Sequence, residues 1–87
     1  MKIQLKLYAS SKILSDNDIL KVDLPNNSNI GDLRNVLGKI ISEKKLKHLQ
    51  DLPITSAFFG EVNQVVNDEY KLKDKEIISI IPPIGGG

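Results

Sequence analysis

Only one stretch of this chain keeps helical periodicity for several turns; outside it, apolar residues alternate or cluster in short runs. Within "NIGDLRNVLGKIISEKK", Ile30, Leu33, Val36, Leu37, Ile40 and Ile41 fall at the spacing of one apolar stripe. A lone amphipathic helix must bury that stripe against another layer, and a sheet face is the layer the rest of the sequence offers. Asn29 is suited to cap the helix, and Asp32 completes a capping box while complementing the positive end of the helix dipole. Lys44 and Lys45 are expected in the last turn, at the negative end. Gly31 and Gly38 each cost such a helix about 1 kcal/mol against alanine, and Gly38 is a candidate for close approach to the sheet.

The sheet is written in period two. Ile3, Leu5 and Leu7 alternate with Lys2, Gln4 and Lys6, as in a half-buried strand. After the polar stretch "SSKILSDND", Leu20, Val22 and Leu24 alternate with Lys21 and Asp23, so a hairpin is the economical reading, ended by Pro25. Leu46 and Leu49 suggest a short helical turn, closed at Pro53. "ITSAFFGEV", residues 54–62, predicts a third strand, followed by a tight reversal at Asn63-Gln64. In that strand Phe58 and Phe59 face opposite ways, one toward the core and the other as a candidate partner contact. A turn at Asp74-Lys75 leads into a last strand, residues 76–81. The order β-β-α-β-β predicts an α+β fold, one sheet covered by one main helix.

Composition excludes more than it assigns. With 87 residues the chain holds one modest core and little room for a deep enzyme cleft. Twelve basic residues against 11 acidic ones, net +1, supply no field for nucleic acid or an anionic membrane. No cysteine is present, so disulfides, thiolate metal sites and side-chain thiol chemistry are excluded, which fits a cytoplasmic setting. No apolar run is long enough for a signal or a membrane span. His48 sits in a lysine-rich connection and reads as a surface residue; Ser10, Ser11 and Ser15 have no histidine partner to make them nucleophiles. No phosphate-binding glycine loop occurs, so any ATP belongs to a partner.

The chemistry gathers at "EIISIIPPIGGG". Ile77, Ile78, Ile80 and Ile81 leave only Ser79 polar, so the strand reads as central and buried on both sides, its second face covered by a loop or by a partner. Pro82 and Pro83 carry no donor for a ladder, and the chain must leave the sheet there. The expected division is a domain of residues 1–81 and an extended, flexible tail of residues 82–87. That tail can project roughly 20 Å; Ile84 is its one apolar anchor, and Gly85, Gly86 and Gly87 fit a channel too narrow for side chains. A carboxylate on Gly87 is inert until activated, for instance as an acyl-adenylate, and in a chain without cysteine a terminal thioacid is the one way to carry sulfur.

A β-β-α-β-β chain of this length ending Pro82, Pro83, Ile84, Gly85, Gly86, Gly87 resembles the small subunit of molybdopterin synthase, the MoaD family of ubiquitin-like sulfur carriers. The last strand, Val62-Asn63-Gln64 and Leu33-Arg34 carry the likeness further. The resemblance implies a β-grasp (ubiquitin-like) fold with a mixed sheet. It also implies a C-terminal Gly87 that a MoeB-like adenylating enzyme activates with ATP and that becomes a thiocarboxylate. The tail would enter a MoaE-like large subunit of molybdopterin synthase, where sulfur passes to cyclic pyranopterin monophosphate in molybdenum cofactor biosynthesis. Gly85 and Gly86 would line the channel, and Pro82, Pro83 and Ile84 would launch and dock the tail; the chain would bind no cofactor or metal and would not be catalytic alone. Two departures stand out: Asp74-Lys75-Glu76 where the family often has glycine in the turn, and Gly85 where it commonly has Ala, Ser or Thr. Alternatives of the same fold are a sulfur carrier for thiamine, tRNA thiolation or cysteine synthesis, a protein modifier, and an interaction module without carrier chemistry.

Overall fold

The computed structural model describes residues 1–83. Its strands are β1 (Lys2–Leu7), β2 (Ile19–Asp23), β3 (Ala57–Phe59) and β4 (Ile77–Ile81), and its helices α1 (Ile30–Glu43) and the single turn α2 (Leu52–Thr55). They form one sheet in the order β2-β1-β4-β3. β1 pairs antiparallel with β2 and parallel with β4, and β3 pairs antiparallel with β4, so the sheet is mixed. A parallel central pair cannot be joined by a tight hairpin, and the chain between β2 and β3 makes its crossing through α1. α1 lies over one face, burying Ile30, Leu33, Leu37 and Ile41 against Ile3, Leu5, Leu7, Phe58, Ile78 and Ile80. This is the expected α+β, β-grasp arrangement.

The start of α1 follows its local signals. Asp32 N–H donates to Asn29 Oδ1 at 2.9 Å and Asn29 N–H to Asp32 Oδ2 at 3.0 Å, a reciprocal capping box. The next free donors are taken by the chain before β4: Ile30 N–H by Tyr70 O at 3.1 Å and Gly31 N–H by Asp68 O at 3.0 Å. A Cβ on Gly31 would sit 3.2 Å from Asn29 Oδ1 and 3.6 Å from the Asp68 carbonyl, so glycine permits this close approach.

Three expectations need correction. Lys44 and Lys45 are not in the last turn: α1 ends at Glu43, Lys45 takes φ 57°, and Leu46 N–H reaches back to Ile41 O at 3.1 Å, closing the helix with a left-handed residue. Gly38 does not face the sheet; a Cβ there would meet only Pro53, at an ordinary 4.0 Å. The third strand is three residues, not nine, because Asp51 O collects Ile54 N–H and Thr55 N–H and winds that segment into α2. The polar connection after β1 is a 3-10 turn, Ala9–Leu14, that buries Ser11 and Leu14. A second, shorter 3-10 turn, Lys47–Leu49, forms where a helical turn was expected.

Candidate functional site

β4 is central, as expected, but only half sealed. Ile78 and Ile80 are wholly buried under α1, whereas on the opposite face Ile77 is 38% exposed and Ser79 and Ile81 are half-buried. Among the described residues no loop closes over that second face, and its apolar residues stay partly exposed.

Register fixes what shares this open face, because paired residues point the same way. One row runs Asp23–Lys2; the next, Lys21–Gln4–Ile77; the third, Ile19–Lys6–Ser79–Phe59, which Val65 extends through its bridge to Phe59. In the fourth, Ala57 pairs with Ile81. Tyr8, extended at φ −130°, ψ 152° just after the Leu7–Ile80 pair, continues this row beside Ile81. The face therefore divides: lysines dominate β1 and β2, and Ile77, Ile81, Phe59 and the exposed Val65 gather on the side of β3 and β4.

The described chain leaves β4 on the apolar half. Pro82, at the end of β4, is buried and Pro83 is exposed. Ile84, Gly85, Gly86 and Gly87 lie outside the described residues. Phe58 is fully buried and Phe59 half-buried on the open face, the opposed orientations expected from strand geometry. His48 is exposed in the turn Lys47–Leu49. Ser11 is buried and donates to Tyr8 O at 2.6 Å while accepting from Tyr8 N–H at 2.9 Å, which fixes the 3-10 turn beside the tail's root.

Two polar clusters position this site. Arg34 donates from Nε to Asp68 Oδ1 at 2.8 Å and from Nη1 to Pro53 O at 2.6 Å and Ser56 O at 2.9 Å, with its guanidinium 4.7 Å from the centre of the Phe58 ring. It ties α1 to the approach to β3 and to the chain returning toward β4. Its neighbours Asn29, Asp32, Asn35 and Ile54 line an open groove of about 540 Å³ on the helix side, but the guanidinium is already engaged by this chain's own oxygens. The sequence singled out Leu33-Arg34 without revealing this role; an arginine beside an apolar stripe was the available signal. In the second cluster, buried Glu76 accepts from Tyr70 OH at 2.5 Å and Lys73 N–H at 2.8 Å, fixing the turn that starts β4. That hydrogen bond, helped by desolvation and the carboxylate charge, pushes the Tyr70 phenol up to about 12. The Asp74 carboxyl is held below its usual range, chiefly by the Lys2 backbone N–H that it accepts at 2.8 Å.

Among the described residues no three His, Cys, Asp or Glu side chains gather to hold a metal, and no helix is long and apolar enough to cross a membrane. Among the described residues the open face and the end of β4 at Pro82 are thus the chief features that ask for a partner.

No family model and no curated protein matches the chain. Solved structures do. A protein described as molybdopterin converting factor subunit 1 from Pyrococcus furiosus is 20% identical with a TM-score of 0.69, over 95% of this chain and 98% of that one. A chain in the complex of subunits 1 and 2 of molybdopterin-converting factor from Helicobacter pylori 26695 is 18% identical with a TM-score of 0.62, over 100% of both. Caldiarchaeum subterraneum ubiquitin is 19% identical with a TM-score of 0.62, over 100% of this chain and 98% of that one. The fold is ubiquitin-like, and its neighbours include a protein described as subunit 1 of a molybdopterin converting factor and a chain from a complex of subunits 1 and 2.

Proposed function

We propose that this chain is a sulfur carrier, the small subunit of a molybdopterin synthase, working through a thiocarboxylate on Gly87. The observation that carries this is the end of β4: the central strand brings Pro82 and Pro83 to the rim of an apolar face that the other described residues leave open, and Ile84-Gly85-Gly86-Gly87 follow in the sequence. The likeness to subunit 1 in a complex of subunits 1 and 2 supports a large-subunit partner.

In this reading a chain ending at Gly87 presents its carboxylate to an adenylating enzyme. A carboxylate oxygen attacks the α-phosphorus of ATP, pyrophosphate leaves, and the acyl-adenylate forms. A sulfide-equivalent donor then attacks the carbonyl carbon and expels AMP, leaving the thiocarboxylate. In the large subunit that sulfur passes to the pterin precursor, and hydrolysis of the acyl group regenerates the carboxylate. The chain's own part is positioning: Pro82 anchors, Pro83 and Ile84 direct and dock the tail, and Gly85 and Gly86 pass the channel. It binds no ATP, metal or other cofactor itself, is not catalytic alone, and works in the cytoplasm beside its activating enzyme. Residues 1–81 form the docking domain and residues 82–87 the tail.

Intact mass after incubation with ATP, the adenylating enzyme and the large subunit of the same organism, and a sulfide source tests this directly. Replacement of one oxygen by sulfur on the C-terminal peptide is expected. Deleting Gly87 or appending a residue should abolish it, and an unchanged mass in the wild type sinks the reading.

The ubiquitin neighbour, as similar in TM-score as the chain of the subunit complex, favours one second reading: a lysine amine attacks the carbonyl carbon of the adenylate, AMP leaves as the acyl–oxygen bond breaks, and an amide forms. The same experiment separates them, since conjugation appears as a covalent adduct through Gly87 rather than as sulfur.

A further inference from the structure

The lysine half of the open face is not needed to carry a tail, and nothing in the core requires it. Lys21 is diagonal to both Lys2 and Lys6 across the β1–β2 pair, since it stands opposite Gln4. Diagonal neighbours lie about 7–8 Å apart, within the screening length of about 8 Å at physiological salt, so the three act as one field. Lys75, exposed at the same end, joins them: its N–H donates to Lys2 O at 2.6 Å, and it lines with Lys2, Lys21 and Asp23 a shallow groove of about 290 Å³.

The acids nearby offset part of this charge and stand at the Lys2 and Ile77 end of the face, and none of them pairs with Lys6 or Lys21. Asp23 reaches Lys2 only at 3.8 Å, with both side chains about four-fifths exposed (78% and 81%). Asp74 is engaged by the Lys2 N–H, and Glu61 accepts the Ile77 N–H at 3.1 Å. Lys6, Lys21 and Lys75 have no ion pair among the described residues.

Resting on the reading that a partner covers this face, we propose that the partner is a protein carrying carboxylates opposite Lys2, Lys6 and Lys21, beside the apolar surface that meets Phe59, Ile77 and Ile81. The lysines steer the encounter and select the partner; the apolar half holds it. Two features favour a protein over a polyanion. Half of the face is apolar, and Asp23, Asp74 and Glu61 interrupt the lysines where a phosphate backbone or lipid surface would bring unbroken negative charge.

The test measures association and dissociation of the full chain with the adenylating enzyme and the large subunit of the same organism. The variants are Lys6→Glu with Lys21→Glu, and the milder Lys6→Gln with Lys21→Gln, each first checked for an unchanged unfolding midpoint. For at least one partner, the double reversal should slow association about tenfold at about 0.1 M salt, the neutral pair should fall between, and dissociation should change little. At about 1 M salt, where screening shortens to about 3 Å, the variants should converge. Binding indifferent to both salt and reversal overturns the proposal while leaving the carrier reading intact. Tighter binding to a single-stranded oligonucleotide or to phosphatidylserine-containing vesicles than to either protein overturns it too. Failure of the wild type to bind either partner at any salt overturns both.

Discussion

Lys45 and Lys75 are held at φ 57° and 67°, a left-handed conformation that costs a residue with a Cβ roughly 1–2 kcal/mol. Both close essential turns, Lys45 at the end of α1 and Lys75 where the chain enters β4. Glycine removes that cost but adds freedom to the unfolded chain. Lys75→Gly is therefore expected to raise stability by about 0.5–1 kcal/mol, read as a higher urea midpoint with an unchanged slope. The resemblance noted from sequence placed a glycine here, and the lysine adopts the conformation that glycine would take. Tyr70 makes a different prediction. Its phenol is raised in the folded state, so the native protein holds that proton longer than the unfolded chain does. The stabilisation is complete below about pH 10, the unfolded value, and is lost as pH rises through the folded value of about 12. Because the ring is partly exposed, water screens the pair and about 1 kcal/mol is at stake. Chemical denaturation from pH 9 to 12 should show this loss in the wild type and a flatter profile in Tyr70→Phe. Asp74 carries the opposite sign: its depressed carboxyl stabilises at neutral pH and ceases to do so as the carboxylate range is crossed downward.

At the scale of elements, α1 and the approach to β3 are joined through one side chain. Arg34 satisfies the carbonyls of Pro53 and Ser56, pairs with Asp68 and covers Phe58, so its planar fork matters as well as its charge. Arg34→Lys should cost about 1–3 kcal/mol, with urea unfolding as the measure; a cost near zero would mean that water satisfies those carbonyls equally well. Removing the cap through Asn29→Ala should cost about 1 kcal/mol. What the sequence made legible follows the same scale. β1, β2 and the start of α1 were readable because alternation, stripe and capping box are local signals. β3 was overdrawn because Ile54 and Thr55 have the branched side chains of a strand, yet hydrogen bonding to Asp51 O winds them into α2. The open face was legible only as Phe59 and the second face of the last strand. Its rows depend on the parallel β1–β4 register, and no short-range pattern discloses which strands become neighbours. Arg34 escaped for the same reason, since its acceptors lie 19 to 34 residues away.

At the scale of the molecule, the proposed division into a domain and a tail makes stability and sulfur transfer separable. The core is closed by Phe58, Ile78 and Ile80, each wholly buried, and Pro82 is the last buried residue described. Phe58→Ala should therefore cost about 3–5 kcal/mol, a large part of a small domain's total of about 5–15 kcal/mol. It should lower sulfur loading only in proportion to the unfolded fraction. Truncation after Pro83 should do the reverse: the thermal midpoint stays where it was, and thiocarboxylate formation is lost. A chain lacking residues 84–87 should still bind through its open face, because Ile77, Ile81 and Phe59 remain, and should compete with the full chain for the same partner. Unfolding midpoints, mass after the sulfur-loading reaction and a competition assay on these two variants check this together. A truncated chain that melts well below the full one would show that the tail belongs to the fold, and the division at Pro82 would have to be withdrawn.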